Sequence, residues 1–181
     1  MIILINGAFG VGKTSVATEL VRTLDNFMLF DPEVVGFMLR HVIPDEIRTA
    51  DERTDNFQDL ALWKSMTVTM AENLRKTYNK NLIIPMTIFN KDYLHYIFSG
   101  LKKIDEDTFH FCLTAKEEII HNRLLQRGET AGNWCFIQTE KCLAAYEDRC
   151  FETFIKTDDL GVDGVVKKIQ RDVGLMLQEK F

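Results

Sequence analysis

The chain has 181 residues, of which 46% are hydrophobic and 27% are charged, and its formal net charge at pH 7 is −5. This length and composition predict one soluble globular domain that spans residues 1–181. The negative charge argues against nonspecific nucleic-acid binding, because the chain offers no broad basic surface to neutralise phosphates. No apolar run is long enough to cross a bilayer, and an apolar strand already begins at residue 2. We therefore expect neither a membrane span nor a signal peptide, and the four cysteines without a C-x-x-C pattern favour reduced thiols in a cytoplasmic protein.

Strands and helices are predicted to alternate along the chain. Short apolar runs indicate strands, and apolar residues spaced three and four apart indicate helices. In chain order these patterns predict strand 2–5, helix 16–24, strand 27–30, helix 33–41, helix 55–78, strand 82–86, helix 90–101, strand 109–113, helix 116–127, helix 137–150, strand 153–156 and helix 162–177. The alternation predicts an α/β fold, a three-layer sandwich in which a five-stranded parallel sheet carries helices on both faces.

The residues after the first strand fit the pattern G-x-x-x-x-G-K-[ST] at every fixed position, from Gly7 to Thr14. The alternative is a glycine-rich turn without a ligand, but the strand before it and the helix after it are the context of a phosphate-binding P-loop. In such a loop the backbone N–H groups surround a phosphate, the lysine reaches the β- and γ-phosphates, and the hydroxyl ligates Mg²⁺. The motif therefore predicts ATP and Mg²⁺ as cofactors, with ATP contacts from Gly7, Ala8, Phe9, Gly10, Val11, Gly12, Lys13, Thr14 and Ser15.

Asp31 ends the second predicted strand, beside the place where the P-loop presents a γ-phosphate. A carboxylate at this position is suited to accept the proton of an acceptor hydroxyl or to hold Mg²⁺ together with Thr14. The alternative role is an N-cap for the helix that begins at Pro32 or Glu33. Asp31 is thus predicted as a catalytic, substrate-binding and metal-binding residue.

Arg123 and Arg127 are four residues apart and lie on one face of a predicted helix. Kinases with a small lid place such arginines over ATP, whereas a helix C-terminus also favours arginine for electrostatic reasons alone. Both arginines are predicted to be catalytic and to contact ATP, and residues 128–150 are predicted to form the lid. Thr157, directly after the last strand, is predicted to contact the adenine, although an ordinary loop is the alternative.

Four further residues are predicted to bind an acceptor, because ligands of parallel sheets gather beyond the carboxyl ends of the strands. Arg40 is a candidate clamp, with a solvated helix face as the alternative. Gln58 would line the acceptor cleft or face water, and Trp63 would form a platform or belong to the core. Thr87 directly follows the third strand.

The sequence resembles the tunicamycin-resistance proteins, a small P-loop family in the nucleoside-monophosphate-kinase-like group. Besides the P-loop, the matching blocks are Asp31-Pro32-Glu33, Phe57-Gln58-Asp59 and Pro85-Met86-Thr87-Ile88. The resemblance implies a sheet ordered 2-3-1-4-5, ATP binding through the P-loop, and a role in resistance to tunicamycin, a nucleoside antibiotic. Family members that continue into a basic amphipathic tail differ from this chain, which stops at Phe181, so no membrane association is expected.

These observations predict an ATP-dependent phosphotransferase acting on a hydroxyl of a small nucleoside-like or antibiotic acceptor. An ATP-binding resistance protein that sequesters its drug without phosphorylating it is the alternative. A GTPase-like switch is disfavoured because the chain has no N-K-x-D guanine motif. The acceptor's identity and the oligomeric state stay open at this point.

Overall fold

A computed structural model describes residues 1–178 of the chain. Five strands and seven α-helices in it are β1 Ile2–Gly7, α1 Lys13–Thr23, β2 Phe27–Leu29, α2 Pro32–Val42, α3 Ala61–Tyr78, β3 Asn81–Pro85, α4 Lys91–Ile104, β4 Thr108–Thr114, α5 Glu117–Gln126, α6 Trp134–Ala145, β5 Phe154–Lys156 and α7 Val162–Gln178. Short 3₁₀ helices lie at Asp45–Ile47, Ala50–Glu52, Phe57–Asp59 and Arg149–Phe151.

The five strands form one parallel sheet in the order β2-β3-β1-β4-β5, which confirms the predicted fold and strand order. β1 lies at the centre because its continuous apolar run is buried on both faces. Pro85 occupies the last position of β3, opposite Ile5, where the loss of one ladder hydrogen bond does the least harm. The sheet's carboxyl edge therefore collects the P-loop and the segments that follow β2, β3 and β5.

Helices cover the sheet as right-handed crossovers require. The connection from β1 to β2 runs in the opposite direction across the sheet from the later connections, so α1 lies on one face and α3 and α4 lie on the other. α1 packs against α7, and α3 packs against α4 and α2. The result is the predicted three-layer arrangement.

Three helices differ from the prediction at their N-termini. α1 begins at Lys13, directly after its N-cap Gly12, rather than at residue 16. α3 begins at Ala61 rather than at Asp55, because the Asn56 side chain accepts the Gln58 N–H at 3.1 Å and folds Phe57–Asp59 into a separate 3₁₀ turn. α6 begins at Trp134 rather than at residue 137 and ends at Ala145, since Asn133 accepts the Cys135 N–H at 3.0 Å and acts as its N-cap.

Within residues 1–178, no helix combines the length and apolar character needed to traverse a lipid bilayer. The expectation about a basic tail concerns the end of the sequence at Phe181, which lies outside the described residues 1–178.

A fully buried asparagine joins the loops at the carboxyl edge of the sheet. The Asn6 side chain donates to the Ile88 carbonyl at 2.9 Å and accepts the N–H groups of Ile88 and Gly7, both at 2.8 Å. Its oxygen also accepts the Tyr146 hydroxyl at 3.2 Å. Asn6 thus fixes the start of the P-loop to the segment after β3 and to the end of α6.

Candidate active site

The P-loop connects β1 to α1 through two glycines with positive φ angles. Gly10 has a φ of +78° and Gly12 a φ of +106°, a region that residues with a Cβ rarely adopt. Gly12 is also the N-cap of α1, and no side chain of the described residues caps this helix. The N-terminal amides of α1 and the positive end of its dipole therefore face the loop, which is the arrangement that binds a phosphate.

Lys13 is held beneath the loop with only 9% of its surface exposed. Its Nζ donates to the Ala8 carbonyl at 2.9 Å and lies 5.5 Å from the centre of the Phe9 ring. Burial lowers the Lys13 pKa to about 8, and the nearby charge of Glu33 offsets only part of this effect. A bound anion would supply the countercharge that this ammonium group needs.

A cavity of about 680 Å³ opens above the P-loop, which is within the usual size range for small-molecule sites. It brings together eleven of the predicted site residues: Phe9, Gly10, Val11, Gly12, Lys13, Thr14, Ser15, Asp31, Arg123, Arg127 and Thr157. We call this the phosphate cavity.

Gly7 and Ala8, which were predicted to contact ATP, do not line the phosphate cavity. A Cβ on Gly7 would lie 2.6 Å from the Leu113 carbonyl oxygen, so glycine is required there for the close approach of β1 to β4. Ala8 is buried and contributes its carbonyl to Lys13. Both residues therefore shape the P-loop from outside the lining of the phosphate cavity.

The two arginines of α5 are held very differently. Arg123 donates to the Thr157 hydroxyl at 3.0 Å, to the Thr157 carbonyl at 2.8 Å and to the Val11 carbonyl at 3.3 Å. Arg127 follows the last residue of α5, pairs with Glu129 at 3.0 Å and leaves 55% of its side chain exposed. Arg123 is therefore a charge held between the P-loop and the end of β5, with Thr157 as its support, whereas Arg127 is half exposed and, within residues 1–178, pairs only with Glu129 of the segment after α5.

Asp31 has the capping geometry that the sequence left as an alternative. Its carboxylate accepts the Glu33 N–H at 2.9 Å and caps α2, whose first residue is Pro32. The same carboxylate lines the phosphate cavity. One carboxylate oxygen thus accepts a hydrogen bond at the helix start, on a residue that also lines the phosphate cavity.

A second cavity of about 280 Å³ adjoins the first and has aromatic walls. It is lined by Phe9, Phe37, Phe57, Phe89, Trp134, Glu33, Arg40, Asp55, Asn56, Gln58, Thr87 and Gln138. We call this the aromatic cavity. It brings together three of the predicted acceptor residues, Arg40, Gln58 and Thr87.

Trp63 does not reach either cavity, in contrast to its predicted role as an acceptor platform. Its side chain is fully buried, and its indole N–H donates to the Pro32 carbonyl at 3.1 Å. The ring packs behind Phe57 in a tilted arrangement, with 5.8 Å between ring centroids, and so supports the wall of the aromatic cavity from the core. Trp63 does not line a cavity because its side chain is buried between α3 and the start of α2.

Hydrogen-bonding groups interrupt the apolar wall of the aromatic cavity. Gln58 donates to the Thr87 carbonyl at 2.7 Å, while the buried Thr87 hydroxyl has no hydrogen-bond partner in the described part of the chain. Arg40 donates to the Thr54 carbonyl at 3.2 Å at the rim. The cavity therefore suits a ligand with an apolar or planar body and a few polar groups.

Several lining residues were not identified from the sequence, among them Glu33, which borders both cavities. Phe9, which was predicted to contact ATP, also borders both cavities and contacts Trp134 with ring centroids 5.1 Å apart. Glu33 belongs to the Asp-Pro-Glu block after β2, so its position beyond the end of a strand was an available signal. Phe37 and Gln138 carried no comparable signal, because their orientation on α2 and α6 depends on tertiary packing.

Across residues 1–178, no group of three or more His, Cys, Asp or Glu side chains is arranged to hold a metal ion. Magnesium in nucleotide sites is instead bound by substrate phosphates, waters and one or two protein oxygens. The Thr14 hydroxyl and Asp31, both on the phosphate cavity, fit that limited set of ligands.

The sheet order, the P-loop and the adjoining cavities define a P-loop protein with a kinase-like α/β fold. Residues 3–141 match the family described as an AAA domain, and the chain belongs to that family.

Comparison of structures gives the same class. The tunicamycin resistance protein of Deinococcus radiodurans is 29% identical, with a TM-score of 0.78 over 96% of this chain and 95% of that chain, which confirms the resemblance noted in the sequence. The fold is shared with a gluconokinase from Sinorhizobium meliloti 1021 (14% identity, TM-score 0.65, 98% and 93% covered). It is also shared with a shikimate kinase from Bacteroides thetaiotaomicron (13% identity, TM-score 0.61, 96% and 98% covered). The search of curated proteins returns no match.

Proposed function

We propose that this protein is a cytoplasmic kinase that transfers the γ-phosphoryl group of ATP to a hydroxyl of a small nucleoside-like or antibiotic acceptor. The observation that carries the proposal is the shared border of the two cavities. Phe9 and Glu33 line both of them, so a molecule in the aromatic cavity lies next to whatever occupies the phosphate cavity. Structural similarity to a gluconokinase and a shikimate kinase supports phosphoryl transfer to a small molecule.

In this proposal the phosphate cavity holds ATP. The N-terminal amides of α1 and the Lys13 ammonium bind the β- and γ-phosphates. Thr14 and Asp31 would hold Mg²⁺, which would neutralise part of the charge on the phosphates. Arg123 contributes a positive charge from its place between the P-loop and Thr157, and Arg127 approaches when its exposed side chain turns from Glu129.

The aromatic cavity holds the acceptor, with Arg40, Gln58 and Thr87 as its polar contacts. Trp134, on α6, closes the boundary between the cavities through its edge contact with Phe9. Residues 128–150, which contain α6, act as the lid of a single domain. The similarity to a tunicamycin resistance protein makes tunicamycin the first acceptor to test.

Mass spectrometry after incubation of the protein with ATP, Mg²⁺ and tunicamycin tests the proposal. We expect a tunicamycin product that has gained one phosphoryl group, and ADP in equal amount. A stoichiometric drug complex without a phosphorylated product would instead support sequestration.

Lys13→Ala should abolish nucleotide binding or lower turnover by about 10²–10³, the scale for a single electrostatic contact. Unchanged nucleotide affinity and turnover in this variant would refute the assignment of the phosphate cavity.

A further inference from the structure

Two glutamines lie in the wall that the aromatic cavity shares with a third cavity, which has a volume of about 450 Å³. Gln58 belongs to the 3₁₀ turn before α3, and Gln138 lies on α6, in the proposed lid. The third cavity continues past Asn90 and Lys141, and it shares no lining residue with the phosphate cavity. The two glutamines therefore mark the end of the aromatic cavity that lies away from the P-loop.

Both glutamine side chains are buried, yet part of their hydrogen-bonding capacity is unused. Gln138 is 9% exposed, and its side-chain amide makes no hydrogen bond with any of residues 1–178. Gln58 is 7% exposed and donates from Nε2 to the Thr87 carbonyl at 2.7 Å, which leaves its Oε1 without a donor among the same residues. Because buried polar groups are normally paired, these free groups indicate a ligand that pairs with them.

The surroundings of the two glutamines define the chemistry of that ligand. Phe57, Phe89 and Trp134 line the aromatic cavity beside them, and aromatic side chains favour planar rings that stack on them. A glutamine amide donates through Nε2 and accepts through Oε1, so Gln138 matches a ring edge on which a donor lies beside an acceptor. A nucleobase combines a planar ring with such an edge.

We infer that Gln138 and Gln58 bind the hydrogen-bonding edge of a nucleobase in the aromatic cavity, an inference that rests on the proposed function because it places the acceptor there. The base stacks on the aromatic walls with its edge toward the glutamines. The sugar of the acceptor then points toward Phe9, where the aromatic cavity meets the phosphate cavity. This orientation brings a sugar hydroxyl next to the nucleotide, and Gln138 recognises the base from the lid.

Isothermal titration calorimetry at pH 7 with uridine, cytidine, adenosine and guanosine tests the inference without turnover. Each nucleoside is compared with a derivative in which methylation removes a donor from the edge of the base: 3-methyluridine, 1-methylguanosine, and the dimethylamino forms of cytidine and adenosine. We expect at least one nucleoside to bind the wild-type protein. Its methylated derivative should bind about 5–150-fold more weakly, the range for a paired amide and base edge.

Gln138→Leu separates ligand recognition from a structural role. It should weaken binding of that nucleoside by about 5–150-fold and bring the Kd values of the parent and the methylated form within about twofold of each other. The free variant should unfold at the same temperature as the wild type or at a higher one, because the substitution removes a buried amide that has no partner. A glutamine that only stabilised the fold would give a lower unfolding temperature and unchanged selectivity.

Gln170→Leu is the matched control, because Gln170 lies within α7 and lines none of the three cavities. It makes the same substitution inside a helix and should leave the Kd values and the selectivity unchanged. Should Gln138→Leu fail to fold, Gln138→Met takes its place, since methionine has an unbranched side chain of similar length. The wild-type comparison of parent and methylated nucleosides needs no variant.

The outcomes separate this inference from the proposed function. If no nucleoside binds the wild-type protein, if the parent and methylated forms bind equally, or if Gln138→Leu keeps the selectivity, the inference is wrong. The kinase function is judged independently, by the phosphorylated product in the tunicamycin reaction. Nucleoside binding with the expected selectivity but without any phosphorylated product would leave the role of Gln138 standing and would refute the kinase function.

Discussion

Nucleotide affinity should weaken as the pH rises through the pKa of Lys13. The Lys13 pKa of about 8 means that the free protein carries mostly ammonium at pH 7 and mostly neutral amine at pH 9. If only the ammonium form binds the phosphates, the apparent Kd increases by the reciprocal of the protonated fraction, which is roughly tenfold between pH 7 and pH 9. Bound phosphates stabilise the charged form, so ATP binding at pH 8 should take up about half a proton.

Isothermal titration calorimetry of Mg²⁺–ATP binding in buffers with different ionisation enthalpies measures both the Kd and the proton uptake. Lys13→Arg is the control, because arginine stays protonated throughout this range, and its Kd should not depend on pH even if it is weaker. A wild-type Kd that is constant from pH 7 to pH 9, with no proton uptake, would show that the buried Lys13 does not contact the nucleotide.

Three other predictions concern stability. Burial lowers the pKa of His110 to about 4, so the unfolded chain takes up a proton near pH 6.5 before the folded chain does, and stability should fall by about 3 kcal/mol as the pH drops from 6.5 to 4. Urea unfolding measures this loss, and His110→Phe should show less of it. Asn6→Ala leaves the amides of Ile88 and Gly7 unpaired in the core, and should lower the free energy of unfolding by about 3 kcal/mol or more in the same assay. A loss under about 1 kcal/mol would contradict the role of Asn6 in holding the P-loop to the segment after β3. Gly36→Ala places a Cβ 2.2 Å from the Phe57 ring, and should cost about 1–3 kcal/mol and weaken acceptor binding more than ATP binding, whereas Gly174→Ala, with open space around it, should do neither.

The sheet and the P-loop could be predicted because both depend on local sequence. The apolar runs at 2–5, 82–86 and 109–113 are long enough to identify buried parallel strands, and the loop motif has fixed positions. The strand order then followed from the family resemblance. Helix ends were less accurate. The start of α3 depends on a single hydrogen bond, in which the Asn56 side chain accepts the Gln58 N–H, and this bond competes with helix formation over the next three residues.

The aromatic cavity could not be predicted, since its walls come from segments far apart in sequence. Phe37, Phe57, Phe89 and Trp134 meet only after α2, the Phe57–Asp59 turn, the segment after β3 and α6 have packed, and nothing in the sequence shows which side of each segment faces the others. The same limit explains Trp63, whose position on α3 was compatible with the cleft or the core. Side-chain direction, rather than secondary structure, separated the predicted acceptor residues that line the aromatic cavity from Trp63, which does not line it.

The Phe9 ring lines both the phosphate cavity and the aromatic cavity. A shift of this ring for a ligand in one cavity therefore changes the space available to a ligand in the other. If nucleotide binding changes the position of the Phe9 ring, the free energy of acceptor binding changes as well. By linkage, acceptor binding changes the free energy of nucleotide binding by the same amount. Saturation with either ligand should thus alter the other's Kd by one common factor. Phe9, a single residue of the P-loop, would in this way couple ligand binding in one cavity to ligand binding in the other.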